Sequence, residues 1–315
     1  MSSTAVIVPY FSQQPGYLVR AIRSALTQVG VSTPTVFVID DASPHPAEQE
    51  LLALTAEERQ FVHLLHRPNG GPPAARNTGW DEVPASTDWI ALLDADDEWE
   101  EWHLQRAQTA LAQGFDFFFG DVVRAGALEA QFAQIGFGPA GHRALPGSDG
   151  LYAFEGDFFT PNLTRSPVCT TTVVLRNATL GHLRFRTVPR VWEDLALWLK
   201  VACHTKRIAF DTRLQAHMSA GGVTIAGGQR SNEELQRLLW FSQHFAIVEA
   251  QYPLTPRQQQ ILRAVRTKNR RGFADTVLAI LRDGGWPKFS LLWAFFRTNP
   301  TVAWTAIKVV VGKLA

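Results

Sequence analysis

The sequence predicts an α/β protein with a Rossmann-like, mostly parallel central sheet flanked by helices and a helical extension at the C-terminus. Two patterns carry this reading. Through the first hundred residues, short continuous apolar runs alternate with segments whose apolar residues recur at helical spacing. After Ser231 the chain reads as helix throughout. Runs that are apolar without alternation suit strands buried on both faces, and helices between such strands imply right-handed βαβ units.

Element by element, Ala5–Val8 is the first strand and ends at Pro9. Tyr17 to Thr27 follows with apolar residues at 18, 19, 22, 25 and 26, a helical spacing. Thr35–Ile39 is a β-rich run closed by Asp40-Asp41-Ala42-Ser43-Pro44. Glu48 to Ala56 reads as a helix, Phe61–Leu65 as a third strand, Ala74 to Trp80 as a helix start and Trp89–Leu93 as a fourth strand. The Gly- and Pro-rich stretch from 125 to 172 reads as loops and short strands over a cleft. Glu193 to Cys203 is helical in pattern, and Arg207–Phe210 is strand-like. Ser231 with Glu234 three residues on is a capping-box arrangement, and Asn299-Pro300 marks another helix start. The expected division is a domain over 1–228 and a basic, aromatic extension over 229–315.

Composition fits an ordinary globular protein, with 46% hydrophobic and 19% charged residues. Two cysteines, Cys169 and Cys203, offer neither a disulfide framework nor metal-ligand spacing, which suits a reducing cytosol. The first apolar run has no basic region before it and reads as a strand, not a signal peptide. No stretch reaches the roughly 18 apolar residues needed to span a bilayer. The net charge of +1 is unevenly placed: from Arg257 to Ala315 there are eleven Lys/Arg and two Asp/Glu, so the rest of the chain is acidic.

Ligands of such sheets bind beyond the carboxyl ends of the strands. Pro9-Tyr10-Phe11, Asp40-Asp41 and Asp94-Ala95-Asp96-Asp97 all fall there. The last is the densest signal, three carboxylates in four residues after a buried run. Hard divalent cations such as Mg²⁺ or Mn²⁺ take oxygen ligands of this kind and share them with substrate phosphates.

Val6-Ile7-Val8-Pro9-Tyr10-Phe11, Val38-Ile39-Asp40-Asp41-Ala42-Ser43, Ala75-Arg76-Asn77-Thr78-Gly79, Leu93-Asp94-Ala95-Asp96-Asp97 and Glu193-Asp194-Leu195-Ala196-Leu197-Trp198 occur in that order. Together they resemble the family 2 glycosyltransferases, inverting enzymes of the GT-A fold that use nucleotide-diphosphate sugars. The resemblance covers about residues 4–225. It implies that Asp41 accepts a hydrogen bond from the donor base, with Pro9, Tyr10 and Phe11 lining the nucleotide pocket. Where the family usually has Tyr-Asn this chain has Phe11-Ser12, keeping a stacking face without a phenol. Arg76 would reach towards the diphosphate, its alternative being a structural pair with Asp81 or a loop carboxylate. Asp94 would face the ribose, with Ala95 beside it in the donor site. Asp96 would hold Mn²⁺ or Mg²⁺, with His217 completing metal or diphosphate binding. Asp194 would be the general base, and Thr170-Thr171-Thr172 would line the acceptor side. Trp192 is either a sugar platform or a core residue.

The implied activity is metal-dependent transfer of a sugar, from a UDP-sugar in the first instance, to a hydroxyl of a cell-surface glycan or lipid-linked acceptor on the cytoplasmic side. Two other classes compete. A nucleotidyltransferase needs a Gly-rich phosphate loop near the N-terminus, which residues 9–16 lack. A non-catalytic sugar-nucleotide or glycan binding module would not need both a metal carboxylate and a base. In the extension, Arg263, Arg266, Lys268, Arg270 and Arg271 accompany Trp286, Phe289, Leu292, Trp293, Phe295, Phe296, Trp304 and Ile307. That mixture suits peripheral contact with an anionic membrane, or a helical bundle packed on protein or on a second copy. Nucleic acid is disfavoured, because no nucleic-acid motif accompanies the charge.

Overall fold

A computed structural model describes residues 2–219 and 231–300. Its strands are β1 (Thr4–Tyr10), β2 (Thr35–Asp40), β3 (Val62–His66), β4 (Trp89–Leu92), β5 (Glu98–Trp99), β6 (Phe117–Arg124), β7 (Arg143–Ala144), β8 (Leu151–Ala153), β9 (Val174–Arg176) and β10 (Ile208–Met218). They form one sheet in the order β3-β2-β1-β4-β9-β6-β10-β8-β7, with β5 also paired to β10. β1 lies parallel to both β2 and β4, β2 is parallel to β3, and β6 is parallel to β10. The short β9 enters antiparallel between β4 and β6, and β5, β7 and β8 add antiparallel edges.

The helices are α1 (Tyr17–Leu26), α2 (Ala47–Leu51), α3 (Ala56–Arg59), α4 (Pro72–Asp81), α5 (His103–Ala112), α6 (Gln131–Ile135), α7 (Asn177–Leu180), α8 (Glu193–His204), α9 (Asn232–Gln251), α10 (Pro256–Arg282) and α11 (Phe289–Thr298). Strand alternation sends Val6, Val8, Tyr10, Val36 and Val38 to one core with Leu18, Ile22 and Leu104. Ala5, Ile7, Phe37, Ile39, Ile90 and Leu92 go to the other, with Ala75, Trp80 and Trp198. Both faces are covered, which is why these strands carry no polar alternation. The single helix expected over Glu48 to Ala56 is two, because Thr55 and Glu58 form a capping box that starts α3.

The chain divides into two compact units, Met1–Thr187 with Asp194–Gly222, and Val188–Glu193 with Val223–Ala315. The boundary expected between 228 and 229 lies outside the described residues, as do Trp304 and Ile307. The detour at 188–193 is not legible in the sequence. Its anchor is Trp192, held at φ 51° with its ring 4.7 Å from Phe241 and 5.6 Å from Phe245. That packing makes Trp192 part of the helical unit rather than a sugar platform.

In the helical unit, Leu235, Leu238 and Leu239 pack with Phe273, Ile280, Leu291 and Phe295, and Phe273 stacks on Phe295 at 3.7 Å. Ser231 accepts from the Glu234 N–H to open α9. Thr255 and Gln258 make a full capping box before α10, with Pro256 at its first position. Among the described residues, no helix is long and apolar enough to cross a membrane.

Candidate active site

The parallel register sets Tyr10 beside Asp40 and Ile7 beside Leu92. Beyond these pairs, the Asp41 N–H donates to the Tyr10 carbonyl at 3.0 Å, and Leu93 to Ile7 at 3.1 Å. Residues 9–11 therefore lie between the Asp41 turn and the Asp94 turn. Within that peptide the side chains diverge. Tyr10 is 1% exposed among Val6 and Val8, so it is a core residue and does not line a pocket, correcting the expectation from the sequence. Burial, then the charges of Glu50 and Asp40, push its phenol up to about 12. Pro9 is half-buried, and Phe11, 42% exposed, offers the aromatic face.

Asp41 is buried and works as a staple. Its carboxylate accepts from Arg67 Nη1 at 2.6 Å, the Gly70 N–H at 3.0 Å and the Gly71 N–H at 2.7 Å. Asn69 Nδ2 adds a bond to the Asp41 carbonyl. Gly71, at φ 82°, takes a conformation that disfavours a side chain and delivers Pro72 to the first position of α4. Asp41 thus shapes the loop that starts α4. Arg67 was missed in the sequence, where an arginine one residue past a strand carries no signal. Neighbouring Asp40 caps its own turn, accepting from the Ser43 and Ala47 N–H groups. Asp40, Glu48 and His66 bring ligand atoms within 4.8 Å of one another, but both Asp40 oxygens are spent on that turn.

The run Ala75-Arg76-Asn77-Thr78-Gly79 has a physical reading at each position that matters. Gly79 lets α4 press onto the sheet: a Cβ there would fall 2.4 Å from Ile39 Cδ1 and 2.9 Å from Ile7 Cγ2. Asn77 clamps Phe185 by two bonds, Nδ2 to its carbonyl at 2.9 Å and its N–H to Oδ1 at 2.8 Å. Arg76 lies over the Phe185 ring at 5.3 Å and donates from Nη2 to Asp94 Oδ1 at 2.5 Å. Its partner is therefore a loop carboxylate of the acidic turn itself. Asp81 pairs instead with Arg184.

The acidic turn closes through the Asp97 N–H to the Asp94 carbonyl at 3.1 Å. Ala95 packs half-buried on the core beneath it. Thr171 fixes the turn from below, its hydroxyl accepting from the Asp94 N–H at 3.3 Å while its carbonyl accepts from Trp99 Nε1 at 2.5 Å. Thr172 bonds Gly120 in both directions. Thr170, Thr171 and Thr172 are all buried and brace the sheet instead of lining an acceptor surface. Asp97 is 3% exposed and accepts from the Ser219 N–H at 3.1 Å. Burial, then the charges of Asp94 and Asp96, push its carboxyl up to about 8. Asp96 is raised for the same reasons, burial first and Asp94 second.

Asp194 opens α8, where Oδ1 accepts from the Leu195 N–H at 2.7 Å. Burial, then the charges of Asp97 and Asp94 and lastly that of Asp194, raise the buried Cys169 thiol. His217 is not brought there. Strand alternation turns Met218 towards Cys169, Sγ to Sδ at 3.5 Å, and turns His217 away to Glu100 Oε1 at 2.7 Å. The expectation that His217 completes the metal site does not hold in this arrangement. The donor set itself fits a hard divalent cation, because three carboxylates share one turn and two are raised by burial and mutual repulsion.

The family model described as glycosyl transferase family 2 matches residues 5–178, more than half of the chain. Asp194 lies beyond that span. The chain is 27% identical over 336 residues to the succinoglycan biosynthesis protein ExoW of Rhizobium meliloti (strain 1021), with 100% of both proteins covered. The S. aureus TarS 1-349 structure in complex with UDP-GlcNAc superposes with a TM-score of 0.58 at 16% identity, covering 94% of this chain and 79% of that one. Mannosyltransferase PcManGT from Pyrobaculum calidifontis, in complex with GDP-Man and Mn²⁺, gives 0.56 at 17% identity, covering 97% and 84%. At these identities the structural likeness concerns the fold, which is the GT-A architecture expected from the motifs. With strand-end carboxylates gathered as above and the family model spanning the sheet that carries them, the chain belongs to glycosyl transferase family 2 and is a glycosyltransferase.

Proposed function

We propose that the protein is an inverting transferase that uses a divalent metal and moves a sugar from a nucleotide-diphosphate donor, a UDP-sugar in the first instance, to a hydroxyl of a polysaccharide precursor. One observation carries this reading: Asp94, Asp96 and Asp97 crowd a single turn at the end of β4, where Arg76 of α4 pairs with Asp94, on the sheet that the family model spans. UDP-GlcNAc and GDP-Man in the neighbouring folds support a nucleotide-sugar donor, and Mn²⁺ in one of them supports a cation. ExoW, similar along its whole length, supports a place in polysaccharide biosynthesis. Both cysteines are free, in keeping with work in a reducing cytoplasm.

In this reading Phe11 and Pro9 take the donor base, and Asp41 holds the loop beneath it while offering its remaining acceptor capacity. Asp94, oriented by Arg76, accepts from the ribose. Asp96 is the metal carboxylate and Asp97 supports it, while a bound Mn²⁺ or Mg²⁺ would stabilise charge on the departing diphosphate. Asp194 takes the acceptor hydroxyl proton as that oxygen attacks the anomeric carbon and the bond to the diphosphate breaks. One displacement inverts the centre. Asp194→Asn should lower kcat by about 10²–10⁴ while nucleotide affinity stays within about twofold. Product formation at more than half the parent rate would rule out Asp194 as the base.

A further inference from the structure

The helical unit carries an apolar surface that its own core does not use. α11 packs on its neighbours through Leu291 and Phe295, leaving Phe289, Trp293 and Arg297 at four-residue spacing on the outer face. Trp286 in the preceding turn is 83% exposed, Phe289 77% and Trp293 58%. Leu278 and Leu281 on the last turns of α10 are exposed beside them. Half of the ten exposed large apolar side chains among the described residues thus fall between 278 and 293, a concentration that marks an interaction face.

The polar residues around this face are mainly cationic. Arg271, Arg282, Lys288 and Arg297 are exposed and form no ion pair among the described residues, against the three exposed carboxylates Glu233, Asp275 and Asp283. Arg257, Arg263 and Lys268 extend the charge along α10. A two-fold contact with a second copy would bring together two faces that each carry more cations than carboxylates. An anionic lipid surface complements them, and Trp and Phe settle at the headgroup level between them. We propose that Leu278, Leu281, Trp286, Phe289 and Trp293, with Arg282, Lys288 and Arg297, dock the protein peripherally on an anionic bilayer.

The test is flotation of the full chain with vesicles of phosphatidylcholine, alone or with about one third phosphatidylglycerol. Binding should require the anionic lipid and should be lost in about 1 M salt, where the screening length is about 3 Å. Trp286→Ser combined with Phe289→Ser and Trp293→Ser should lower the partition coefficient at least about tenfold with Tm unchanged. Arg282→Glu and Lys288→Glu should each lower it by about fivefold or more. Leu128→Ser, an exposed apolar residue of the other unit, should leave it unchanged. Failure to float at low salt, or undiminished binding by the triple variant, overturns the proposal. So does a dimer in solution that the triple variant abolishes. Flotation is read without donor or acceptor, so its failure leaves the transferase reading standing, and an inactive site leaves flotation intact.

Discussion

Gly79→Ala tests whether helix packing sets the site. The added Cβ would meet Ile39 Cδ1 at 2.4 Å, Ile7 Cγ2 at 2.9 Å and Ile39 Cγ1 at 3.1 Å. Carbon atoms rest about 3.5–4.0 Å apart, so α4 must lift by about an ångström or Ile39 must leave its rotamer. Overpacking of this kind costs about 1–3 kcal/mol, offset by about 1 kcal/mol from the better helix propensity of alanine. The net loss reaches about 2 kcal/mol, a fall in Tm of up to roughly 4–8 °C. Turnover should fall further than stability does. Arg76 sits three residues before Gly79 and rides on the same helix, and a displacement of about 1 Å at a reacting centre costs about 10²-fold.

Thermal unfolding and steady-state product formation measure the two effects separately. Ile39→Val removes the Cδ1 atom that the new methyl meets first. Alone it costs about 0.5–1.5 kcal/mol, yet on the Gly79→Ala background it should restore part of both Tm and rate, a coupling of about 1 kcal/mol, the contact with Ile7 Cγ2 at 2.9 Å remaining. A Gly79→Ala protein with raised Tm and full activity, or a cycle without coupling, would refute the packing argument.

Two further outcomes are expected. Asp96→Ala should weaken Mn²⁺-dependent binding of the nucleotide diphosphate by at least about tenfold in calorimetry, and unchanged binding would remove Asp96 from the metal. His103 is fully buried, its Nδ1 3.1 Å from Gln215 Oε1, and burial holds its pKa down to about 4. Since the unfolded imidazole titrates near about 6.5, the unfolded chain binds more protons below that pH and stability falls. The slope reaches about 1.4 kcal/mol per pH unit between about 6.5 and 4. Denaturant titrations from about pH 7 to 5 should show a flatter dependence in His103→Asn, and an identical slope would contradict this.

The strands were legible because burial on both faces leaves a mark in every residue, as in Val36–Ile39. The strand-end carboxylates were legible because a buried run has to surface somewhere. What was not legible depends on which way a side chain turns. Tyr10 adjoins the site in sequence, but a strand alternates, and one residue of phase sends it to the core beside Val8 while Phe11 remains outside. His217 is lost to the site by the same one-residue phase. Thr171 looked like a surface hydroxyl, and only the insertion of β9 between β4 and β6 shows it beneath the acidic turn. Arg67 and the 188–193 detour depend on partners distant along the chain, Asp41 in one case and Phe241 in the other.

The proposed use of a cation rests on the charges that the fold places around the acidic turn. Arg76 is the close counter-charge, and it is committed to Asp94 at 2.5 Å. Its influence on Asp96, like that of Arg124, is outweighed by burial and by Asp94 itself. Asp97 receives the Ser219 N–H and the Thr171 hydroxyl, and neither offsets two neighbouring carboxylates. Two carboxyl groups are therefore held towards their neutral forms beside a third that is paired. A protonated carboxylic acid is a poor metal ligand, so under the proposed metal dependence a cation that engaged Asp97 would displace its proton and bind more tightly as pH rises towards about 8. The same crowding that penalises the turn on its own is what a doubly charged ion, shared with donor phosphates, would relieve in the proposed reading.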